Sequence, residues 1–122
     1  MKSHHITTGK KGEEDGVVYL RKMGYKVLER NFKTPFGEID IITEEAGYIV
    51  FIEVKTRRDT SYGMPEEAVH VQKQAKLIKS AQSYLKKNGW LERLARFDVL
   101  SILMGDRDGP NFRLVQDAFG IE

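Results

Sequence analysis

Three charged residues interrupt the most apolar part of this sequence. Asp40 lies in Gly37-Glu38-Ile39-Asp40-Ile41-Ile42, and Glu53 and Lys55 close the run Tyr48-Ile49-Val50-Phe51-Ile52-Glu53-Val54-Lys55. A charge in a central strand costs several kcal/mol of desolvation unless something compensates it. Side chains alternate across a strand, so Glu53 and Lys55 share a face, with Cα atoms about 6.5–7 Å apart. Ile49 and Phe51 give that face an apolar base. The four-residue connection Glu44-Glu45-Ala46-Gly47 would pair the Asp40 strand antiparallel with the next one. Setting Ile42 roughly opposite residues 48–50 brings Asp40 level with Glu53. Two carboxylates and an ammonium then converge. A hard cation such as Mg2+ or Mn2+ takes one or two carboxylates and keeps positions for water and substrate phosphate. Such an ion polarises a phosphodiester and lowers the pKa of a bound water. Lys55 could orient that water, deprotonate it, or neutralise charge in the transition state. The competing reading is a structural ion pair of Glu53 with Lys55 or Arg57.

The elements that must position these residues follow from spacing and breakers. Val17, Leu20 and Met23 recur at helical intervals, and Gly24 supplies a stop, so residues 11–23 read as a helix with Glu13, Glu14 and Asp15 in its first turn. Strands are expected over 25–32, 39–43 and 48–56, with a Thr34-Pro35-Phe36-Gly37 turn between the first two. The third is apolar on both parities and belongs in the sheet interior. Residues 57–65 read as a polar loop, and 66–87 as a long amphipathic helix. On that helix Val71, Ala75, Ile78 and Leu85, flanked by Ala68 and Gln82, would face the sheet, and Lys73, Lys76 and Lys87 would face solvent. Residues 90–95 suggest a short helical turn, 97–103 a further strand and 112–115 an edge strand. The fold class is α/β, a mixed central β-sheet flanked by helices in the order α-β-β-β-α-β-β. Residues 1–10 read as a flexible polar lead-in, and 11–122 as a single domain.

Composition narrows the function classes. There are 122 residues, 40% hydrophobic and 31% charged, as in an ordinary globular domain. No apolar run reaches the roughly 20 residues of a membrane span, so no membrane role is expected. The chain has no cysteine, which excludes disulfides and thiolate zinc sites and fits a reducing cytoplasm. Lys and Arg total 20 against 18 acidic residues, so net charge of +2 does not by itself require a polyanion partner. Distribution matters more. Arg57 and Arg58 follow Lys55 directly, and Lys73 and Lys76 lie on the expected outer face of the long helix. These four are the candidate nucleic-acid-binding residues; solvated helix faces are often lysine-rich without any partner. No base-reading motif is present, so backbone and shape recognition is expected. His70 reads as a surface or packing histidine, and Asp98 as a structural acid paired with a basic side chain.

Asp40 with Glu53-Val54-Lys55 thirteen residues on resembles the PD-(D/E)xK signature of restriction-endonuclease-like nucleases. The longer pattern is more specific. Gly12-Glu13, Tyr19-Leu20, Gly24-Tyr25, Arg30-Asn31-Phe32, Gly37-Glu38-Ile39-Asp40, Phe51 to Arg57, Gly63, Pro65, Lys73 and Arg96-Phe97-Asp98-Val99 together resemble the YraN-like family of small bacterial proteins, over residues 12–103. That resemblance implies a restriction-endonuclease-like fold, similar to archaeal Holliday-junction resolvases. It implies Asp40 and Glu53 as metal ligands, Lys55 as the catalytic lysine and Glu13 as a further acid beside the metal. Ile39 departs from the signature's proline. Glu38 adjoins Asp40 but has the opposite strand parity, which leaves it a water-mediated or structural role.

The expectation is a Mg2+-dependent endonuclease that hydrolyses phosphodiester bonds in DNA, branched or flapped, in repair or recombination, with RNA as the other substrate class. Symmetric cutting of a junction would require a homodimer. The alternative is a catalytically silent nucleic-acid-binding or interaction module on the same fold.

Overall fold

The computed structural model describes residues 8–57, 71–104 and 109–119. In chain order the elements are α1 (Thr8–Lys22), β1 (Lys26–Thr34), β2 (Gly37–Glu45), β3 (Tyr48–Arg57), α2 (Val71–Lys87), β4 (Ala95–Leu103) and β5 (Asn111–Phe119). The α/β class and the order α-β-β-β-α-β-β are those expected from the sequence. The strands form one sheet in the order β1-β2-β3-β4-β5. The β3–β4 pair is parallel and the other pairs are antiparallel, giving a mixed five-stranded sheet.

β3 is central because it is apolar on both parities, and each parity feeds a different core. Ile49 and Phe51 pack with Leu77, Ala81, Tyr84 and Leu85 of α2, together with Phe32, Ile42 and Phe97. Val50 and Ile52 pack with Val17 and Leu20 of α1, together with Tyr25, Ile41, Leu100 and Ile102. One helix therefore covers each sheet face, and the Glu53–Lys55 parity lies on the α2 side.

Four local differences from the sequence reading matter for the site. α1 starts at Thr8, within the stretch expected as a lead-in, so no acid lies in its first turn and Glu13 is not there to complement the helix dipole. The β2–β3 connection is a two-residue turn: Ala46 and Gly47 have φ of 51° and 87°, and Glu45 already pairs with Tyr48. The shorter turn places Ile42 opposite Phe51, one residue beyond the expected register. α2 is rotated from its expected phase: Leu77, Ser80, Ala81, Tyr84 and Leu85 are buried, and Val71 is exposed. Two polar residues lie on the buried face. Ser80 Oγ meets Thr34 Oγ1 at 2.8 Å, and the Tyr84 ring lies edge-on to Phe32 and Phe51. β5 also extends four residues past its expected end.

Gly12 and Gly16, one turn apart on α1, let that helix approach the sheet. A Cβ built on Gly12 would overlap Thr56 Oγ1, and one on Gly16 would come within 2.9 Å of Leu100 Cδ2. This close approach carries Glu13 toward the end of β3. Gly12→Ala is expected to cost roughly 1–3 kcal/mol by overpacking, read as a lower denaturant midpoint. An unchanged midpoint would mean that α1 shifts freely and does not fix Glu13.

Candidate functional site

Strands β2 and β3 pair as far as Ile41 opposite Ile52. One residue further along, Asp40 and Glu53 stand level. There the Asp40 carboxylate leaves its own strand's plane and accepts the Val54 amide proton at Oδ2, 2.8 Å away. Opposite Asp40 on β1 is Asn31, with a left-handed φ of 53°. Asparagine tolerates that conformation better than most residues. The regular alternation breaks at this point: Arg30 pairs with Ile41 on the α1 side, yet Ile39, two residues from Ile41, packs on the α2 side. Asp40 sits at this change of face and is exposed to charges from both sides of the sheet.

Glu53 approaches from the α2 side. Only 5% of it is exposed, and its Oε2 is 3.3 Å from Lys55 Nζ and 2.5 Å from Lys73 Nζ. Glu13 approaches from the α1 side. Its side chain is 21% exposed against 61% for Glu14, and Arg30 lies 4.0 Å from the first and 3.6 Å from the second. The Asn31 amide, oriented to satisfy its hydrogen bonds, donates from its nitrogen to Glu13 Oε1 and Glu38 Oε2 at 3.1 Å each. Glu38 is exposed and is joined to Glu13 through Asn31, a link that strand parity concealed.

The electrostatics follow from this crowding. Burial first, then the charge of Glu53, push Asp40 up to about 7, against the opposing pull of the Val54 amide and Lys73. Burial also raises Glu13, with Glu38 and Glu53 adding to the rise and Arg30 and Asn31 opposing it. Lys55 is lowered, chiefly by burial and by Lys73 beside it. Burial pulls Lys73 down as well, but the hydrogen bond and charge of Glu53 outweigh that and leave it raised.

Among the described residues, no three His, Asp or Glu side chains converge tightly enough to cage an ion. Two restraints account for this: Asn31 and Arg30 hold Glu13 beside Glu38, and two ammonium groups hold Glu53. Mg2+ needs only one or two protein carboxylates. Asp40 suits that requirement, being a half-buried oxygen donor with a raised pKa and two acidic neighbours whose repulsion a cation would relieve. Asp40 and Glu53 therefore fit a two-carboxylate site for a hard divalent ion, with Glu13 within electrostatic reach of both.

The profile of Uncharacterised protein family UPF0102 matches residues 12–102. The chain belongs to the UPF0102 family. A UPF0102 protein of Persephonella marina is 50% identical over 114 residues, covering 93% of this chain and 94% of the relative. One from Syntrophomonas wolfei is 53% identical over 95 residues, covering 78% and 83%, and one from Rhodococcus jostii is 38% identical over 117 residues, covering 96% and 99%. Among solved structures, Pyrococcus furiosus SfsA in complex with Ca2+ aligns at a TM-score of 0.39 and 18% identity, covering 88% of this chain and 60% of that one.

Glu13, Asp40, Glu53 and Lys55 all lie within the UPF0102 match, and the fold brings them to one end of β3. Lys73 joins them: it is exposed, as expected, and its ammonium also reaches Glu53. The rotation of α2 brings it to the edge of the sheet-facing side, where that contact forms. Lys76 is exposed on the same helix. Arg57 is half-buried, and its Nη1 donates to the Thr56 carbonyl at 3.2 Å. Arg58, residues 1–7, the 58–65 loop, the first turns of the expected 66–87 helix and His70 lie outside the described residues. Asn31 was legible only as one letter of a motif; its left-handed backbone and double acceptor contact come from the structure. No helix among the described residues is long and apolar enough to cross a membrane.

Asp98 belongs to a different cluster. It is fully buried beneath Arg96, whose Nε donates to Oδ1 at 2.9 Å, and it accepts Tyr25 Oη–H at 2.9 Å and the Asp117 amide at 2.9 Å. It pairs with a basic side chain as expected. Asp98 pairs with Ile52 across β3–β4 and meets Tyr25 of the α1-side core, so it lies on the face opposite the one that carries Glu53 and Lys55.

Proposed function

We propose that this chain is a divalent-metal-dependent endonuclease hydrolysing phosphodiester bonds in DNA, with branched or flapped DNA as its substrate. The observation that carries the reading is the meeting of Asp40, Glu53 and Lys55 where β2 leaves β3, with Asp40 pushed up to about 7. A fold gains nothing from forcing carboxylates together in a half-buried seam, so their placement is better explained by a cationic ligand. A bound Mg2+ would supply Lewis-acid stabilisation and an activated water. Asp40 and Glu53 are the residues that would hold it. Lys55, its pKa lowered by burial, would give up a proton more readily than an ordinary lysine, or would neutralise charge on the phosphoryl oxygens. Lys73 holds Glu53 in place and offsets its charge until a cation arrives. Glu13 adds negative charge from the opposite face.

The test is cleavage of a panel of branched, flapped and plain duplex DNAs with Mg2+ or Mn2+, comparing wild type with Asp40→Ala, Glu53→Ala and Lys55→Ala. Cleavage by wild type and loss in all three variants is the expected result. Activity that survives all three substitutions would sink the assignment.

One observation favours a second reading. Glu53 is already engaged by two ammonium groups, as in a cluster whose purpose is charge balance within a non-cleaving nucleic-acid-binding module. That module binds DNA in EDTA, takes up no Mg2+ in calorimetry and cuts nothing.

A further inference from the structure

The turn between β1 and β2 is fastened to α2. The Thr34 hydroxyl accepts the Phe36 and Gly37 amide protons at 3.0 and 3.2 Å and shares a hydrogen bond with Ser80 at 2.8 Å. This anchoring holds Phe36 out at the hairpin tip, 45% exposed, beside a groove of about 560 Å³. Phe36, Lys79, Gln82, Ser83, Lys86 and Leu91 line it. Among the described residues no acid lines the groove, two lysines do, and Leu91 there is 61% exposed. Lys79 Nζ already sits 5.5 Å from the Phe36 ring centroid.

We infer that this groove binds an unpaired stretch of the DNA substrate, with a base stacked on Phe36 and the backbone on Lys79 and Lys86. The inference rests on the nuclease reading above and specifies its substrate. Stacking platforms flanked by cations are how proteins hold single strands without reading sequence. An aromatic ring at a hairpin tip stacks most readily on an unpaired base, because reaching a base face inside a duplex costs unstacking. The two lysines, with neutral Gln82 and Ser83 between them, complement phosphate, and the aromatic ring beside them favours a nucleotide over an acidic peptide. The spacing also fits: along α2, Lys79 and Lys86 lie roughly 9 and 20 Å from Lys73. These separations put the groove within a few nucleotides of the Asp40–Glu53 seam. A flap held there would set the distance between the branch point and the cut.

The experiment measures fluorescence anisotropy of the full chain in EDTA, with a labelled duplex that carries a short single-stranded tail and the same duplex with blunt ends. Wild type should prefer the tailed DNA by about tenfold. Phe36→Ala and the Lys79→Ala/Lys86→Ala pair should lose that preference while binding blunt duplex as before, and Phe36→Trp should keep it. All three positions are exposed, and circular dichroism checks that the variants remain folded. A wild type that does not distinguish the two DNAs, or a Phe36→Ala variant that still prefers the tail, overturns the inference. No metal is present, so the measurement stands apart from cleavage: tail preference here, together with no cutting in the Mg2+ or Mn2+ panel, would leave the groove intact and count against the nuclease reading alone.

Discussion

Metal-free Asp40→Asn should be more stable than wild type at about pH 8, by roughly 2–4 kcal/mol, and should lose most of the wild type's pH dependence between about pH 4 and 7. In the unfolded chain an aspartate ionises near its ordinary value of 3.8, whereas in the fold Asp40 keeps its proton up to about 7. Across that interval the native state binds more protons than the unfolded state, so stability falls as pH rises. The stability is fully present below about pH 4 and is lost as pH climbs through about 7. The rise from 3.8 to about 7 converts to roughly 4 kcal/mol as a ceiling. The lower figure allows for the solvent that still reaches this half-buried side chain. Asparagine keeps the shape and the oxygen that accepts the Val54 amide but removes the charge. Mg2+ at millimolar concentration should return part of the missing stability to wild type at about pH 8 and little to Asp40→Asn, since a ligand stabilises only the state that binds it. Thermal melts across pH, with and without Mg2+, decide this. A wild type that gains stability from about pH 4 to 7, with Asp40→Asn parallel to it, would show that Asp40 is not held under charge stress.

The sequence carried the architecture because the signals were strong and local. β3 is apolar on both parities and so had to be covered twice; α1 and α2 carry their glycine stops; and the sheet needed a helix to connect parallel β3 and β4. The meeting of Asp40 with Glu53 was also legible, though by a register one residue off. Ala46 takes a left-handed φ of 51°, a conformation that its side chain gives no reason to expect, and so the turn needs only two residues. The phase of α2 was misread because Ser80 and Tyr84 carry polar atoms that scoring by apolar spacing leaves out. Ser80 is buried because Thr34 supplies its partner, and Tyr84 because its ring completes an aromatic cluster. The same misreading hid the contact of exposed Lys73 with Glu53. Asn31 was hidden for a deeper reason: its function depends on a backbone flip that lets one side chain bridge acids on α1 and β2, and no spacing rule encodes a flip.

Asp98 provides the opposite case, and its substitution should move stability in the opposite direction. Two aspartates, one half-buried and one fully buried, lie on the strands flanking β3, nearly level along it but in different surroundings. Asp40 has one amide donor and acidic neighbours. Asp98 is fully buried but receives Tyr25, Arg96 and the Asp117 amide, and Arg96 is in turn tied to Glu45 at 2.9 Å and lies over the Tyr48 ring. Burial opposes the charge on Arg96, but its hydrogen bonds to Asp98 and Glu45 more than offset that and hold it above its ordinary range. Asp98→Ala would strand the guanidinium, the tyrosine hydroxyl and the Asp117 amide together, at a cost of roughly 3–5 kcal/mol. Asp98→Asn should be nearly as damaging, because an amide nitrogen would face donors that now meet only oxygen. Denaturant unfolding near neutral pH reads both variants, and an Asp98→Asn as stable as wild type would mean that solvent reaches these groups. The paired signs make the comparison discriminating. Where the fold alone required an acid it supplied donors to saturate it, and removing that charge costs stability. At Asp40 it left the charge undersupplied, and removing it is expected to gain stability, as when a site's stability is spent on binding something.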